Sequence, residues 1–521
     1  MDSFSNRDKD VFLITCEKMI DRGALMSRYS RTRELDIRTL WDKEFADVPD
    51  RAEKFYERVF LEYGDESVSE LATAQVGIQN VSNVLSKIIE ESRIGLSFLE
   101  KSSRYVSYRE KRNGRYLFID PEKAGIPRKF HERYEEFNNH IFELYNEIFT
   151  GVSNYIHEKN PFENMRFYLP NGKEVKLGEE SGDEEVLKRA YESSVRSRAL
   201  DETRFILPAS TLTNIGLSGN ARAFSHLLER LKANGLKEAD KLYSELMTEL
   251  KLVFPKLIEN VENPHGLESV EYLRKIKNYV PDQLEVATSP TKETVKLLSF
   301  ESNDTVLNKV LASYYFERTA GNYETLHNHF SDLSAEEKVE LLNRITSLRT
   351  NRRNKLDRSF EHVYYTFEIN TNFGAFRDLQ RHRSLTIQRK MLSTVHGYDI
   401  PPIISAIRDL SEKYVKAIEK ANTLYEEIRS VDPLSAQYVV IFAHIQPVIV
   451  TLNLRELLYL TELRSTPQAH FDLRKISREM VGLVKKVNPS LDKVFKFLNE
   501  NDEELGRLSA ELRKEIKLKR D

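Results

Sequence analysis

Two groups of residues contain the cationic side chains that an anionic, phosphate-bearing ligand would need. The later group is Arg381-His382-Arg383, Asn453-Leu454-Arg455 and Arg464, with Glu361 upstream; the earlier is Glu100-Lys101-Ser102-Ser103-Arg104 and Arg204. A guanidinium is always charged and presents a planar fork of donors, so Arg381, Arg383 and Arg455 suit bidentate contacts to phosphate. For the same reason Arg464 would act electrostatically and not as an acid or base. His382, between two arginines, reads as a ligand-contacting or structural imidazole rather than a general base. His362, His396, His444 and His470 stand at unlike spacings and give no metal signature. Gly216-Leu217-Ser218-Gly219 is too weak for a phosphate loop, and there is no Gly-x-Ser-x-Gly nucleophile elbow.

The elements that must position these residues form one pattern written twice. Glu70 precedes a predicted strand near 75–81, followed by the Glu100 to Arg104 segment, Arg204-Phe205-Ile206-Leu207-Pro208, and Asn220-Ala221-Arg222 opening an amphipathic helix. In the second half Glu361 precedes a strand-like run over 363–369, then come Arg381-His382-Arg383 and Asn453-Leu454-Arg455 opening a helix. Glu70 to Asn220 spans 150 residues and Glu361 to Asn453 spans 92, so the first copy carries 58 more. Part of that excess is 162–178, where Asn171-Gly172 signals a surface hairpin. Apolar residues at helical spacing predict helices over 128–155, 221–252, 404–429 and 454–487. The polar stretch 263–282, with two prolines, reads as a linker to a second copy opening at Pro290-Thr291-Lys292, and 501–521 as a surface helix or frayed tail. The expected architecture is α+β: tandem helix-rich copies over 1–265 and 290–521, each with a small sheet, joined by a linker over 266–289.

Length and composition fit this. At 521 residues the chain is long for one domain, and 40% hydrophobic with 31% charged residues, 19 Gly and 16 Pro is a globular, helix-rich balance. A net charge of -3 argues against general attraction to nucleic acid or membrane, so neither is an expected partner. The basic cluster over 344–358, with Arg349, Arg352 and Arg353, is the one candidate nucleic-acid face, disfavoured by the acidic balance and the lack of interleaved aromatics. The single Cys16 rules out a disulfide framework and favours a reducing compartment, and its apolar run predicts a packed thiol rather than a nucleophile. The start has no basic and then apolar leader pattern and the chain has no apolar run of about 18 residues, so a cytoplasmic protein is expected.

Taken in order, these pieces resemble the flavin-dependent thymidylate synthases, the ThyX family, whose signature begins Arg-His-Arg and continues with spaced Ser, Asn, Glu, Ser and Arg. The resemblance implies an enzyme that methylates dUMP reductively to dTMP with FAD, using methylenetetrahydrofolate and NADPH. By position it implies that Glu361, Arg381, His382, Arg383, Asn453 and Arg455 hold the flavin, that Glu100, Ser102, Arg104 and Arg204 bind dUMP, and that Arg464 is the catalytic arginine on the uracil base. Each copy departs from the pattern. The first has Glu91-Ser92-Arg93 near the Arg-His-Arg position, and Leu231 with Arg230 beside it where the second has Arg464. The second has Arg389, Met391 and Ser393 where Glu, Ser and Arg are expected, and Gln437 for the later Arg. Because family members are homotetramers with sites between subunits, the complementary losses imply shared sites in a homodimer that rebuilds a pseudo-tetramer. Two alternatives stay open: a flavin and pyrimidine-nucleotide enzyme with a changed transferred group or base, and a homologue that has lost catalysis.

Overall fold

The computed structural model describes residues 3–34, 36–46, 48, 50–56, 66–169, 171–175, 183–280 and 293–519. In the first half, strand β1 (Thr73–Ser82) runs into helix α1 (Asn83–Glu90), a turn, and β2 (Leu96–Glu100). The long helix α2 (His131–Lys159), the β3 (Phe167–Tyr168) and β4 (Glu174–Val175) hairpin, and α3 (Glu184–Thr203) follow before β5 (Leu212–Asn220) and α4 (Ala221–Lys232). The sheet order is β1-β5-β2, all antiparallel. Buried and outward residues alternate along β5, as in a sheet with one face on the core.

The second half repeats the unit. It comprises β6 (Val295–Ser299), β7 (Tyr364–Asn372), α5 (Phe373–Leu379), β8 (Thr386–Arg389), the long α6 (Arg408–Arg429), β9 (Ile445–Asn453) and α7 (Leu454–Arg464), then α8 (Phe471–Val487) and α9 (Leu508–Leu518). Its sheet runs β6-β7-β9-β8. The register is shared: Thr73 faces Asn220 in one copy and Tyr364 faces Asn453 in the other. The Asn of each Asn-x-Arg triplet is a helix cap, Asn220 Oδ1 accepting from Ala223 N and Asn453 Oδ1 from Glu456 N, both at 2.9 Å.

Reciprocal backbone bonds join the halves. Ala209 N donates to Val440 O (2.7 Å) and Phe442 N to Leu207 O (2.8 Å); Ser210 N donates to Tyr438 O (3.0 Å) and Ala443 N to Phe205 O (2.9 Å). Each bond of a pair is the image of the other about the Pro208 and Ile441 bridge. The long helices α2 and α6, which follow β2 and β8 respectively, pack together, and one apolar core runs through both halves.

Several sequence expectations are corrected. Residues 221–252 form two helices because Gly235, at φ 91°, turns the chain between Lys232 and Lys237. The 454–487 stretch breaks between α7 and α8 at a segment containing Pro467, and 404–429 breaks at the extended Ile407. The expected linker 263–282 is helical over Pro264–Asn278, where Asn263 caps Gly266 N and Arg274 and Lys277 donate to Lys232 O and Asn234 O; residues 281–292, including Pro290-Thr291-Lys292, lie outside the described residues. The tail forms the surface helix of the two alternatives, α9, anchored by Leu512, which is fully buried where α9 packs on α3. The hairpin forms as expected over its described part, with Gly172 at φ 82°. Cys16 is buried, and burial pushes its thiol up. No helix among the described residues is long and apolar enough to cross a membrane.

Gly151 on α2 marks a close contact between the long helices, since a Cβ there would meet Leu410 Cδ1 at 2.7 Å. Gly151→Val should therefore lower the unfolding free energy by about 1–3 kcal/mol through overpacking, read as a lower denaturant midpoint.

Candidate active site

Arg381-His382-Arg383 follows α5 directly and lies at the edge of a cleft of about 820 Å³ in the second half. Glu361, Arg381, His382, Arg383, Asn453, Arg455 and Arg464 all line it. The lining holds eight Arg or Lys side chains against two carboxylates, Glu361 and Glu456, so the cleft is strongly cationic.

Most of these side chains are held by partners. His382 is buried between Glu456 Oε1, 3.1 Å from its Nδ1, and Arg464, whose Nε donates to its Nε2 at 2.9 Å. An arginine cannot accept, so Nε2 is the unprotonated nitrogen and Nδ1 donates to the carboxylate. Burial lowers the imidazole's proton affinity, with the Glu456 hydrogen bond opposing and the Arg464 charge reinforcing, which agrees with a neutral ring. Arg464 also donates to Asp378 O (3.1 Å). Arg383 Nη1 crosses to the first copy, donating to Leu96 O and Ser97 Oγ at 2.9 Å each. Arg455 donates to Leu356 O (2.8 Å) and pairs with Glu361, and the first copy keeps the same pair between Arg222 and Glu70 (2.8 Å).

The first-copy residues form the floor behind the cleft rather than its wall. Glu100 is enclosed, with Lys87 Nζ and Arg377 Nη2 each at 3.0 Å from its carboxylate. Burial alone would push that carboxyl up, but Arg377 and Lys87 overcome it and hold it at about 2. Arg104 makes a bidentate pair with Asp201 (2.8 and 3.0 Å), whose carboxylate also accepts from Arg507 (3.1 Å). Arg204 is buried and pairs with Asp378 (3.2 Å), leaving its Nε and Nη2 without hydrogen bonds. The Ser102 hydroxyl accepts from Arg104 N (3.3 Å), while neighbouring Ser103 accepts from Arg377 (3.1 Å).

The floor and the cleft meet at Asp378. Its carboxylate takes Arg204 of the first copy on one oxygen and Arg381 of the second, at 3.4 Å, on the other. Against the effect of burial, Arg204, Arg104, Arg381 and Arg464 hold this carboxyl far below its ordinary range. Sequence reading missed Asp378, Arg377, Asp201, Glu456 and Arg507. A signal existed for one of them: Asp378 stands three residues before Arg381, one helical turn away, and pairs with it.

The first copy has a smaller counterpart cleft of about 210 Å³, lined by Arg222 and by residues at the start of the 264–278 helix. Where the first copy has Glu91 near the Arg-His-Arg position and the second has Arg389 in place of Glu, the two side chains pair at 2.7 Å. Gln437, in the place of Arg204, accepts from Leu392 N (3.2 Å) and serves the backbone.

The thymidylate synthase complementing protein family matches residues 20–256 and 296–490, one segment on each structural copy. The chain belongs to that family, in a tandem form. Its relatives include a UPF0159 protein of Thermoplasma acidophilum, 46% identical over 96% of this chain and 99% of that one. A flavin-dependent thymidylate synthase of Geobacter sulfurreducens is 29% identical over 168 residues, 30% of this chain and 70% of its own. Among solved structures, a UMP/dUMP methylase from Streptomyces cacaoi, bound with 5-Br dUMP, covers 40% of this chain and 97% of its own at 16% identity and a TM-score of 0.33.

Two outcomes follow from the buried carboxylates of the second copy. Asp378→Asn strands Arg204 and weakens the hold on Arg381, and should cost about 3–5 kcal/mol of unfolding free energy as a broken buried pair, measured by denaturant titration. Asp472, beside Asp399 under the shared Asn372 amide (2.7 and 2.9 Å), is pushed up to about 6 by burial and by Asp399, against that hydrogen bond. A carboxyl raised on folding adds stability that is full below its unfolded value, about pH 4, and is lost as pH rises through the folded value. Asp472→Asn should accordingly flatten the fall in stability between about pH 4 and pH 6, read from melting temperatures across that range.

Proposed function

We propose that the protein is a flavin-dependent thymidylate synthase-like enzyme in which the second copy holds the flavin and the first supplies the nucleotide-binding side chains. The observation that carries this reading is Asp378, one carboxylate that ties Arg204 of the first half-signature to Arg381 of the second. Membership of the family and the identity to a flavin-dependent thymidylate synthase support the same chemistry.

The residues fit an anionic dinucleotide. Arg381, Arg383 and Arg455 would hold FAD in the cationic cleft, with Asn453 and Glu361 on its wall. When bound, the flavin supplies the redox chemistry for moving a one-carbon unit from methylenetetrahydrofolate to dUMP, with NADPH as reductant. Arg464 is fixed by His382 and Asp378 O at the cleft lining, where a guanidinium stabilises negative charge developing on a uracil ring. Glu456 and His382 set the orientation of that guanidinium.

A nucleotide phosphate would be taken by Arg104 and Arg204 with an exchange of partners. Arg204 already has two unpaired N–H donors, and Arg507 stays on Asp201 to neutralise it when Arg104 turns away. Glu100 keeps Arg377 and Lys87 in place beneath, and Ser102 fixes the backbone at Arg104. Chain association into a homodimer, and with it a pseudo-tetramer, belongs to this reading.

The purified protein should carry a flavin absorption spectrum and release tritium from [5-3H]dUMP when methylenetetrahydrofolate and NADPH are supplied. Arg104→Gln and Arg381→Gln should each abolish dUMP binding while the protein still melts cooperatively. Full dUMP binding by either variant would refute the shared site, and a colourless protein that binds no added flavin would refute the flavin reading.

A further inference from the structure

The basic segment near Arg349 belongs to no half-signature, yet it forms one wall of the cationic cleft. Arg349 itself is spent: its Nη2 lies 2.7 Å from Glu462, its Nε donates to Asn354 O (2.8 Å), and it stacks over Phe497. The Asn354 side-chain oxygen gathers Thr350 N, Thr350 Oγ1 and Asn351 N at 3.0–3.1 Å, and Asn351 Oδ1 accepts from Arg353 N (2.9 Å). Beyond the turn, Leu356 is buried and its carbonyl takes Arg455 Nε. The loop 350–355 is thus clamped at both ends and braced in the middle, and its shape does not need to be bought from a ligand.

Three cations project from this rigid turn into the cleft lining: Arg352, Arg353 and Lys355. None of the three has a side-chain hydrogen bond or ion pair among the described residues, whereas Arg349, Arg381, Arg383, Arg455 and Arg464 each have one or more. The cleft cations with neither a hydrogen bond nor an ion pair among the described residues therefore sit on the loop, whereas Arg383 and Arg464, though they face no carboxylate, are held by neutral acceptors. Two adjacent guanidinium groups with an ammonium two positions on suit the clustered oxygens of a diphosphate.

We propose that loop 350–355 is a diphosphate subsite, reading the phosphates of a dinucleotide whose reactive end lies toward Arg464. The identity of the dinucleotide rests on the flavin reading above; the existence of the subsite does not. A flavin dinucleotide and a nicotinamide dinucleotide share the chemistry, and the ligand series tells them apart.

The test is calorimetric titration of the full chain, wild type and Arg352→Gln/Arg353→Gln/Lys355→Gln, with pyrophosphate, ADP, FAD, FMN and NADPH at one fixed salt concentration. The three side chains are exposed or half-buried, so the variant should melt as the wild type does. Pyrophosphate and ADP affinity should fall about tenfold or more, the loss expected of one or two charge-assisted contacts. A parallel fall for FAD with FMN little changed assigns the subsite to the flavin; a fall for NADPH alone assigns it to the nicotinamide dinucleotide. Wild-type protein that binds ADP through the loop but takes no flavin sinks the flavin reading and leaves the subsite standing. Equal affinities of variant and wild type for pyrophosphate and ADP, or no binding of either by the wild type, overturn the subsite.

Discussion

A carboxylate with almost no contact with solvent has to be neutralised where it stands, and Asp378 is neutralised by cations from both halves of the chain. The same rule holds on either side of it. Glu100 is shared by Lys87 and Arg377, and Asp201 by Arg104 and Arg507, so each of these acids carries two bases and several of the bases come from the other copy. Such networks contribute little net stability, because desolvation offsets the attraction, but removing any partner is costly. Their effect is positional. Arg464, Arg381 and Arg204 are held in one arrangement relative to each other because their shared counter-charge allows few others.

Backbone and side chains treat the duplication differently. The backbone is reciprocal: the bonds between 205–210 and 438–443 occur in matched pairs, and both Asn-x-Arg helices have the same cap and the same Arg to Glu pair. The side chains are not reciprocal. On one side of the pseudo-axis Arg-His-Arg opens on the large cleft; on the other, Glu91 and Arg389 pair directly. Duplicated backbone with unlike side chains is what a fused chain permits and a homo-oligomer, with identical subunits, does not.

The duplication, the α+β elements and seven of the residues that line the second-copy cleft were legible in the sequence, because periodicity and a signature of consecutive motifs are local properties. Helix breaks were less so: 221–252 keeps its apolar spacing through Gly235, and only the turn there ends the helix. The floor was largely illegible. Nothing local shows that Arg507 meets Asp201 from 306 residues away, or that Arg377 meets Glu100, since both depend on how the copies dock. The basic loop near Arg349 stood only as a disfavoured nucleic-acid face for the same reason. Its anchor, Glu462, is 113 residues distant.

The pairing of Glu91 with Arg389 bears on whether the two copies decayed independently. Restoring an arginine at 91 would set it against Arg389, close to Arg93, whose Nη1 already donates to Arg383 O. Restoring a glutamate at 389 would then face Glu91. Either reversion alone sets like charges where an ion pair of 2.7 Å now stands, which is unfavourable. Glu91 and Arg389 are matched in charge, and Gln437 serves the backbone where Arg204 serves Asp378, so this side is filled by its own contacts while the other opens on its cations.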